Sequence, residues 1–497
     1  MHKLQFVTQA FQHPGASSVL LLVGVVLISV AGVYLASRAD VTVLLVAALM
    51  LEMFSGNWGL MGIPVPLDRV AMAIALGALV LRGTRNVGAR RLVLRPLHLA
   101  LLSALAWCAI SGIIAGTITT SLGFYAFTDR FGLFPFLLFC LAPIFFGTAR
   151  QRRILLVALV GMGLYLGLTG SLEGLHVYKL LLPRYIANPN VGIHWGRARG
   201  PFLEATGDGF CIFVGMVAAA MGLRTWQSTR ARLLCFVAIG ADLAALFFSL
   251  TRSVWIGTAL GIVGTMMLTK RTRRLLIPVL VAGSIVVGGT LAASPTIRSE
   301  TIGRAESQSP VWDRQNTDLA ALRIMKEKPL FGVGWENFMN VSPDYMLQQP
   351  GYPITGLDIE VHNVFLSHAA ELGIPGLLLW LAAFLGALRW AFVPALKTML
   401  SRRGKPGRGP PDQETKLWLA GGVAIVLCYF VIANSAPFSE PLPNALLWIW
   451  LGILAAPYTS VIRAQALHRA GARVSGRLSA LEETPLPNLP DLRPVYL

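Results

Sequence analysis

Residues 233–250 read LLCFVAIGADLAALFFSL, residues 251–253 read TRS, and residues 254–269 read VWIGTALGIVGTMMLT. Two long apolar runs are therefore separated by only three polar residues. Each run approaches the roughly 20 residues that an α-helix needs to cross a hydrocarbon layer about 30 Å thick. No water is present in that layer, so the backbone must satisfy its own hydrogen bonds, as a helix does. The stretch predicts two consecutive membrane helices joined by a tight turn.

The composition of the whole chain agrees with this local pattern. Of its 497 residues, 55% are hydrophobic and only 13% are charged, and the mean hydropathy is +0.63. A soluble domain carries about twice that charged fraction. We predict an all-α polytopic membrane protein with about 12–13 transmembrane helices. The candidate spans are 16–36, 41–54, 67–81, 97–117, 131–148, 153–170, 209–223, 233–250, 253–269, 275–292, 371–392, 417–433 and 442–457.

The net charge of +18 comes from clusters of Lys and Arg between the apolar runs. Short loops rich in these residues stay in the cytoplasm, so the charge indicates orientation and not nucleic-acid binding. This scheme places 171–208, 251–253, 293–370 and 434–441 outside. The 41–54 run is short. If it only re-enters the membrane, the count is twelve and both termini lie inside; otherwise the N-terminus lies outside.

We divide the chain into a membrane core, 1–457, which includes the large external loop 293–370, and a cytoplasmic tail, 458–497. The run 16–36 is too long for a signal-peptide core and lacks a convincing cleavage site, so we interpret it as a retained span. The Gly/Pro/Arg-rich segment 402–413 is typical of a flexible linker. The tail ends in a Pro-rich stretch, which predicts partial disorder.

The large external loop contains an amphipathic helix. Ser309 and Pro310 are typical of an N-cap followed by Pro at the first helical position, and Pro329 is expected to end the helix. Leu319, Leu322 and Met325 recur between them at helical spacing. The helix either lies on the membrane surface or over a cavity, or it packs on a core of the loop itself.

Polar residues that favour chemistry lie at the external ends of the spans. In the stretch 362–376, HNVFLSHAAELGIPG, His362 and Glu371 fall at the outer membrane boundary, where ionisable groups usually face a wet cavity. Arg197 and Arg199 precede the span near 209. Arg252 lies in the tight turn and must find an anion or water, unless it only extends to the interface.

Four motifs occur in order on this face: Arg197–Gly200 (RARG), Thr251–Gly257 (TRSVWIG), Pro329–Phe338 (PLFGVGWENF) and His362–Gly376. Together they resemble the O-antigen ligase and O-antigen polymerase superfamily of bacterial membrane glycosyltransferases. The resemblance covers about residues 150–457. The chain departs from many relatives at 204–208, where it reads EATGD instead of a segment with Asn-Pro-Asn.

The resemblance implies a GT-C-like helical architecture in the cytoplasmic (inner) membrane, with the active site on the extracytoplasmic face. It implies transfer of a glycan from a polyprenyl (undecaprenyl) diphosphate carrier to an acceptor hydroxyl, without a metal, nucleotide sugar or other cofactor. The acceptor is a glycolipid sugar in ligases and another glycan repeat in polymerases. We favour the ligase on the His362 segment.

The residue types suit this reaction, because guanidinium groups hold phosphate oxygens and stay charged. We expect Arg197 and Arg252 to act in catalysis, with Arg199 binding substrate and Arg304 and Arg314 as further binding candidates. His362 is expected to be a general base, a phosphate ligand or a structural residue.

Three carboxylates complete the candidates. Glu371 is either a supporting partner of the catalytic residues or a cap on the following helix. Glu204 and Asp208 are minor candidates for the base.

The pattern of spans also suits other functions. A dozen helices also suit a transporter, which would place ionisable groups near the membrane midplane, and a purely structural scaffold would leave the motifs unexplained. Asp358, Glu360, His362 and His368 are possible metal ligands, but their spacing matches no standard site. The sequence has no Walker A motif.

Overall fold

A computed structural model of the protein describes residues 32–462, apart from 33, 35–36, 88–89, 269, 349–350, 352, 355, 358, 401–412 and 439. The first predicted span, 16–36, lies almost entirely outside the described residues. The tail from 463 onward and nearly all of the predicted linker also lie outside them.

The described chain is built from helices, with one pair of three-residue strands. The helices are α1 (Val41–Leu51), α2 (Leu67–Val87), α3 (Pro96–Ile114), α4 (Ser121–Tyr125), α5 (Leu133–Phe145), α6 (Ala149–Gly174), α7 (Ala205–Thr225), α8 (Thr229–Phe248), α9 (Arg252–Met267), α10 (Lys270–Arg273), α11 (Leu276–Ala293), α12 (Pro295–Glu306), α13 (Ser309–Glu327), α14 (Phe338–Val341), α15 (Val364–Leu400), α16 (Gln413–Ala433) and α17 (Pro441–Thr459). The strands are β1 (Arg90–Leu92) and β2 (Ser460–Ile462), which pair antiparallel.

Eight helical segments of the described chain are long and apolar enough to cross a membrane. They are Pro96–Ile114, Ser121–Phe145, Ala149–Gly174, Ala205–Thr225, Thr229–Phe248, Val364–Pro394, Gln413–Ala433 and Pro441–Thr459. Val41–Phe54 and Leu276–Ile285 are shorter apolar helices. The protein is therefore an all-α polytopic membrane protein, as the composition predicts.

The quoted runs become α8 and α9, and the turn between them is closed by a tryptophan. The last carbonyls of a helix lack partners within it. The indole nitrogen of Trp255 donates to the carbonyls of Leu246 (2.9 Å) and Phe247 (3.2 Å) at the end of α8. The Trp of the TRSVWIG motif thus ties the start of α9 to the end of α8 and fixes where Arg252 begins the second helix.

Several of the basic clusters meet at one end of the bundle. The pairing of β1 with β2 joins Arg90 and Arg91 to the residues that follow α17. At the start of α6, Arg152 Nε donates to Glu414 Oε1 at 2.7 Å, at the start of α16. A shared end is what the orientation scheme requires of these clusters.

Helix α15 breaks near its start, and the glycine motif of the 293–370 loop packs against the break. Gly373 adopts φ +70°, outside the helical region. Around it, Val333 N donates to Ala370 O (2.9 Å), Gly334 N to Glu371 O (2.9 Å) and Ile374 N to Pro329 O (2.8 Å). A Cβ on Gly373 would collide with the carbonyl oxygen of Leu330. The glycines therefore allow two backbone segments to approach closely.

Helix α3 completes this junction. Trp107 Nε1 donates to Leu372 O (2.9 Å), and Ser111 Oγ donates to Glu371 O (3.4 Å) while accepting from Trp335 N (3.1 Å). The Trp335 side chain is fully buried. The broken helix, the glycine turn and α3 thus satisfy one another's polar groups, as buried backbone requires.

The helix predicted in the loop is confirmed as α13, Ser309–Glu327, and Pro329 follows its end, but its three predicted apolar residues are only half-buried. Ser309 is its first residue and not its N-cap, a position that Gln308 takes. Ala320, Ala321 and Ile324 pack in a buried cluster with Val333 and Phe338. Of the two alternatives, the structure supports packing on the loop's own core.

We expect Gly373→Ala to destabilise the protein, because the added methyl group meets backbone at a positive φ that alanine tolerates poorly. Strain of this kind costs about 1–3 kcal/mol. Thermal unfolding of the purified protein in detergent measures the loss. Gly240→Ala is the matched control, since a Cβ there meets no atom within 4 Å among the described residues. Equal melting temperatures for the two variants would contradict the role of the junction.

Candidate functional site

The turn between α8 and α9 brings two of the predicted arginines into one region. Arg252 Nη2 donates to Ser307 O at 2.8 Å, which joins the turn to the start of the segment containing α13. The loop that carries Arg197 is fixed to the same turn, because Ala198 N donates to Phe248 O at 2.9 Å. Arg197 and Arg252 therefore come from segments anchored to one helix end.

Arg314 and His362 extend this group electrostatically. Burial and then the charge of Arg314 lower the pKa of His362, and Glu360 only partly opposes this change. The pKa of Arg314 is itself lowered, first by burial and then by the charge of Arg252. Charges influence each other in this way only over short distances. Arg314 therefore lies near enough to both Arg252 and His362 for its charge to act on them, and we call these three residues the cationic group.

His362 lies just before α15 and is half-buried. Its Nδ1 is buried and has no hydrogen-bond partner among the described residues. A lowered pKa keeps the imidazole neutral at neutral pH, and a neutral imidazole can accept a proton. These two properties suit a general base.

Two aspartates of α13 lie beside the cationic group. Burial raises the pKa of Asp318 to about 6, although the charge of Arg314 opposes this change. Burial also raises the pKa of Asp313, again against Arg314. Neither carboxylate forms a salt bridge within 4 Å of Arg314 among the described residues. The Arg314 charge is therefore only partly compensated.

Arg199, predicted to bind substrate, has another role in the structure. Its side chain is fully buried, and its guanidinium donates to the carbonyls of Val191 (2.6 Å) and Asn188 (2.9 Å). Its backbone N and that of Gly200 donate to Glu173 Oε2. The donors of Arg199 are used to hold the 171–208 segment, so the prediction is corrected to a structural arginine.

The predicted glutamates act at helix ends. Glu204 is the N-cap of α7, and its Oε2 accepts from Thr206 N (2.8 Å) and Gly207 N (2.6 Å). Glu371 Oε1 accepts from Phe338 N at the start of α14 (3.3 Å). Glu371 thus caps a short helix in the loop and not the helix that follows it in sequence. The side chain of Arg304 lies outside the described residues.

A second charged group was missed by the sequence analysis. Arg130 lies in a π-helical segment, Ala126–Phe131, between α4 and α5. Its Nη1 is 3.5 Å from Glu336 Oε1 and 3.6 Å from Glu360 Oε1. π-Helical turns are frequent at functional sites. Arg130 directly precedes the predicted span 131–148, and an arginine at that position is typical of an ordinary helix boundary. The only local sign of another role is the Asp residue before it.

Glu336 is held in an uncommon backbone conformation. Its φ is +58°, which non-glycine residues rarely adopt. Burial raises the pKa of Glu336, while the charge of Arg130 opposes this. Strained residues persist where their surroundings over-determine them. The neighbouring Trp335, buried against α3, provides that constraint.

The cationic group and the carboxylates around Arg130 are linked through Glu360. Glu360 contacts Arg130 and precedes His362 by two residues. Glu440, the N-cap of α17, lies at the same end of the bundle, and burial followed by the charge of Glu204 raises its pKa to about 8. Glu336 and Glu360 from one loop therefore contact Arg130, and Glu440 from a second segment lies within range of the Arg130 charge.

The possible metal ligands are not gathered. His368 is buried among aromatic rings, with centroid distances of 4.8 Å to Trp380 and 5.3 Å to Phe131. Asp358 lies outside the described residues. Among the residues that the structure describes, no group of three or more His, Cys, Asp or Glu side chains is arranged to hold a metal ion.

One ionisable residue departs from the expected concentration at the outer edge. Asp242 lies within α8, is fully buried, and its carboxylate oxygens have no hydrogen-bond partner in the described part of the chain. It packs against Gly163 and Gly167 of α6, whose missing side chains leave room for it.

We expect Arg130→Gln to lower the melting temperature strongly, because it leaves Glu336 and Glu360 without a counter-charge. Breaking a buried ion pair by removing one partner costs about 3–5 kcal/mol. Adding Glu336→Gln to this variant should restore part of the stability, and thermal unfolding of the single and double variants measures the coupling. Additive losses would show that the two side chains do not interact.

Comparison with known protein families gives a match for part of the chain. Residues 235–381 match a family model described as O-Antigen ligase. The search of curated proteins finds no match. The matched region contains the TRSVWIG, PLFGVGWENF and His362–Gly376 motifs, the break in α15 at Gly373 and the whole cationic group. The match, which covers residues 235–381, supports the resemblance to the O-antigen ligase superfamily and indicates a glycosyltransferase-like membrane protein.

Proposed function

We propose that this protein transfers a glycan from a polyprenyl diphosphate carrier to an acceptor hydroxyl on the outer face of the cytoplasmic membrane. The proposal is supported by the proximity of Arg314 to both Arg252 and His362, inside the region that matches the O-antigen ligase family. The placement of the basic clusters at the opposite end supports the outer face.

The cationic group suits a lipid diphosphate. The diphosphate gains negative charge as the bond to the sugar breaks, and positive groups positioned for that charge lower the barrier. Arg252 and Arg314 supply guanidinium groups on two separate elements, the start of α9 and α13. We assign them, together with Arg197, to the diphosphate oxygens. In this proposal the guanidinium groups neutralise the negative charge of the diphosphate, as a metal ion does at other phosphate sites.

His362 receives the proton of the acceptor. In the proposed step the hydroxyl oxygen attacks the anomeric carbon, and a new carbon–oxygen bond forms. The bond between that carbon and the diphosphate breaks, and its electron pair leaves with the diphosphate. The hydroxyl proton goes to the neutral imidazole of His362. A single displacement of this kind inverts the configuration at the anomeric carbon.

We infer a ligase-like acceptor, a sugar hydroxyl of a membrane glycolipid, from the family description that the matched region carries. A polymerase uses the same donor and the same displacement. The two differ in which molecule enters beside His362, so the residues that bind the diphosphate serve either acceptor.

We expect Ala at Arg197, Arg252 or His362 to lower the initial rate of glycan transfer by roughly 100-fold or more, the effect of removing one group that stabilises developing charge. Purified protein in lipid vesicles, lipid-linked donor and glycolipid acceptor provide the assay. Arg298→Ala is the control, because Arg298 is an exposed arginine of α12 in the same external segment.

Wild-type rates in all three variants, each with an unchanged melting temperature, would overturn the proposal. A loss of rate in the Arg298 control as large as in the three variants would also contradict it, because charge alone would then explain the effect.

The pH dependence gives a second prediction. A His362 that must be neutral to accept a proton loses activity as the pH falls through its pKa, and this pKa lies below the ordinary value near 6.5. Arg314→Gln removes a positive charge that lowers the pKa. The acidic limb of the rate profile should therefore move to higher pH, whatever the maximal rate.

The matched control is Lys326→Gln, which removes an exposed charge from the same helix, α13. Its acidic limb should stay at the wild-type position. If both variants move the limb equally, or if Arg314→Gln moves it to lower pH, His362 is not the group that titrates.

A further inference from the structure

A cavity of about 360 Å³ lies at the end of the bundle opposite His362. It is an open pocket lined by the start of α6, the end of α7 and the start of α16. Helix α7 measures the separation: it begins beside the Arg199–Glu204 loop and ends at the cavity, and its 21 residues span about 32 Å at 1.5 Å per residue. The cavity is therefore separate from the site proposed above.

The lining of this cavity is basic. Its side chains include Arg152, Arg153, Arg224, Trp226, Glu414 and Trp418. Three arginines face one glutamate, so positive charge remains after the ion pair between Arg152 and Glu414 is formed. An excess of positive charge in a concave site favours an anion.

Arg152 is fixed in place before any ligand binds. Its Nε donates to Glu414 at 2.7 Å, and its Nη1 donates to the carbonyls of Phe146 (3.3 Å) and Gly147 (3.4 Å) at the end of α5. These contacts hold the guanidinium plane and join α5, α6 and α16. A preorganised donor loses less entropy when a ligand arrives.

A tryptophan supplies a further donor. Trp226 follows the last turn of α7, and its indole nitrogen is buried without a hydrogen-bond partner among the described residues. A buried donor in a native structure normally has an acceptor. An indole at the end of a membrane helix also lies at the depth of the lipid headgroups.

We propose that this cavity binds the phosphate headgroup of an anionic phospholipid. Guanidinium groups recognise phosphate oxygens, and basic pockets between membrane helices are suited to anionic headgroups. The ends of three membrane-spanning helices form the walls, which places the cavity where headgroups lie. The bound lipid would stabilise the packing of α6, α7 and α16, whether or not the transfer reaction proposed above is correct.

The test uses the full-length protein, stripped of lipid in detergent, and short-chain phosphatidylglycerol as the probe. The rise in melting temperature with lipid concentration gives the affinity. The variant Arg153→Gln/Arg224→Gln leaves the Arg152–Glu414 pair intact. Each basic residue near an anionic lipid surface contributes a factor of about five, so we expect binding about thirtyfold weaker.

Arg150→Gln is the matched control. Arg150 lies in the same first turn of α6, but its side chain is 81% exposed, pairs with Asp40 and does not line the cavity. Its binding should stay near that of the wild type. An equal loss in this control would show that phosphatidylglycerol senses only the general surface charge, and it would overturn the proposal.

Two further probes identify the source of the phosphate. Phosphatidylcholine of the same chain length should stabilise the wild type much less than phosphatidylglycerol. If inorganic phosphate raises the melting temperature as much as phosphatidylglycerol does, the cavity binds a soluble anion and the lipid proposal is wrong. Each variant's melting temperature without lipid reports on its folding.

Discussion

The structure depends on the break in α15 at Gly373. A helix that breaks inside a membrane exposes backbone carbonyls, and each unsatisfied group there costs several kcal/mol. The glycine turn of the external loop donates to Ala370 and Glu371, and α3 supplies the indole of Trp107 and the hydroxyl of Ser111. The break is therefore stable only when the loop and α3 are both in place. These contacts join the 293–370 loop to the membrane helices and fix the positions of the residues that follow the turn.

The arginines discussed above differ in which groups accept their hydrogen bonds and balance their charge. Arg199 is buried against backbone carbonyls of its own segment, and Arg130 lies between Glu336 and Glu360. An arginine whose donors and charge are satisfied by the protein contributes to the fold. Arg314, in contrast, lies near Arg252 and forms no salt bridge within 4 Å among the described residues, so the two like charges oppose each other. Two positive charges held close together repel each other, and a bound anion offsets this repulsion. The cationic group therefore suits a diphosphate better than Arg199 or Arg130 does.

The two ends of α7 show how one helix serves two environments. Its start is capped by Glu204, whose carboxylate suits the positive end of the helix dipole. Its end carries Arg224, a cation at the negative end, beside Trp226 and the basic cavity. The apolar middle of the helix is almost wholly buried, packed between α6, α8 and α16. Chemistry is thus confined to the two ends, while the interior supplies the rigid spacing between them.

The sequence by itself determined the class of the protein, most of its spans, the amphipathic helix that begins at Ser309 and the motifs that carry the family resemblance. These follow from hydropathy, helical period and residue type, which act over one helix at a time. Only the tertiary structure decided which arginine does what. Arg197 and Arg199 are two residues apart and have the same sequence context. The guanidinium of Arg199, however, donates its hydrogen bonds to backbone carbonyls of its own loop. Arg130 reads as a helix boundary, yet it gathers carboxylates from segments more than 200 residues away. Burial and charge pairing depend on what the whole chain brings together, and no local pattern encodes that.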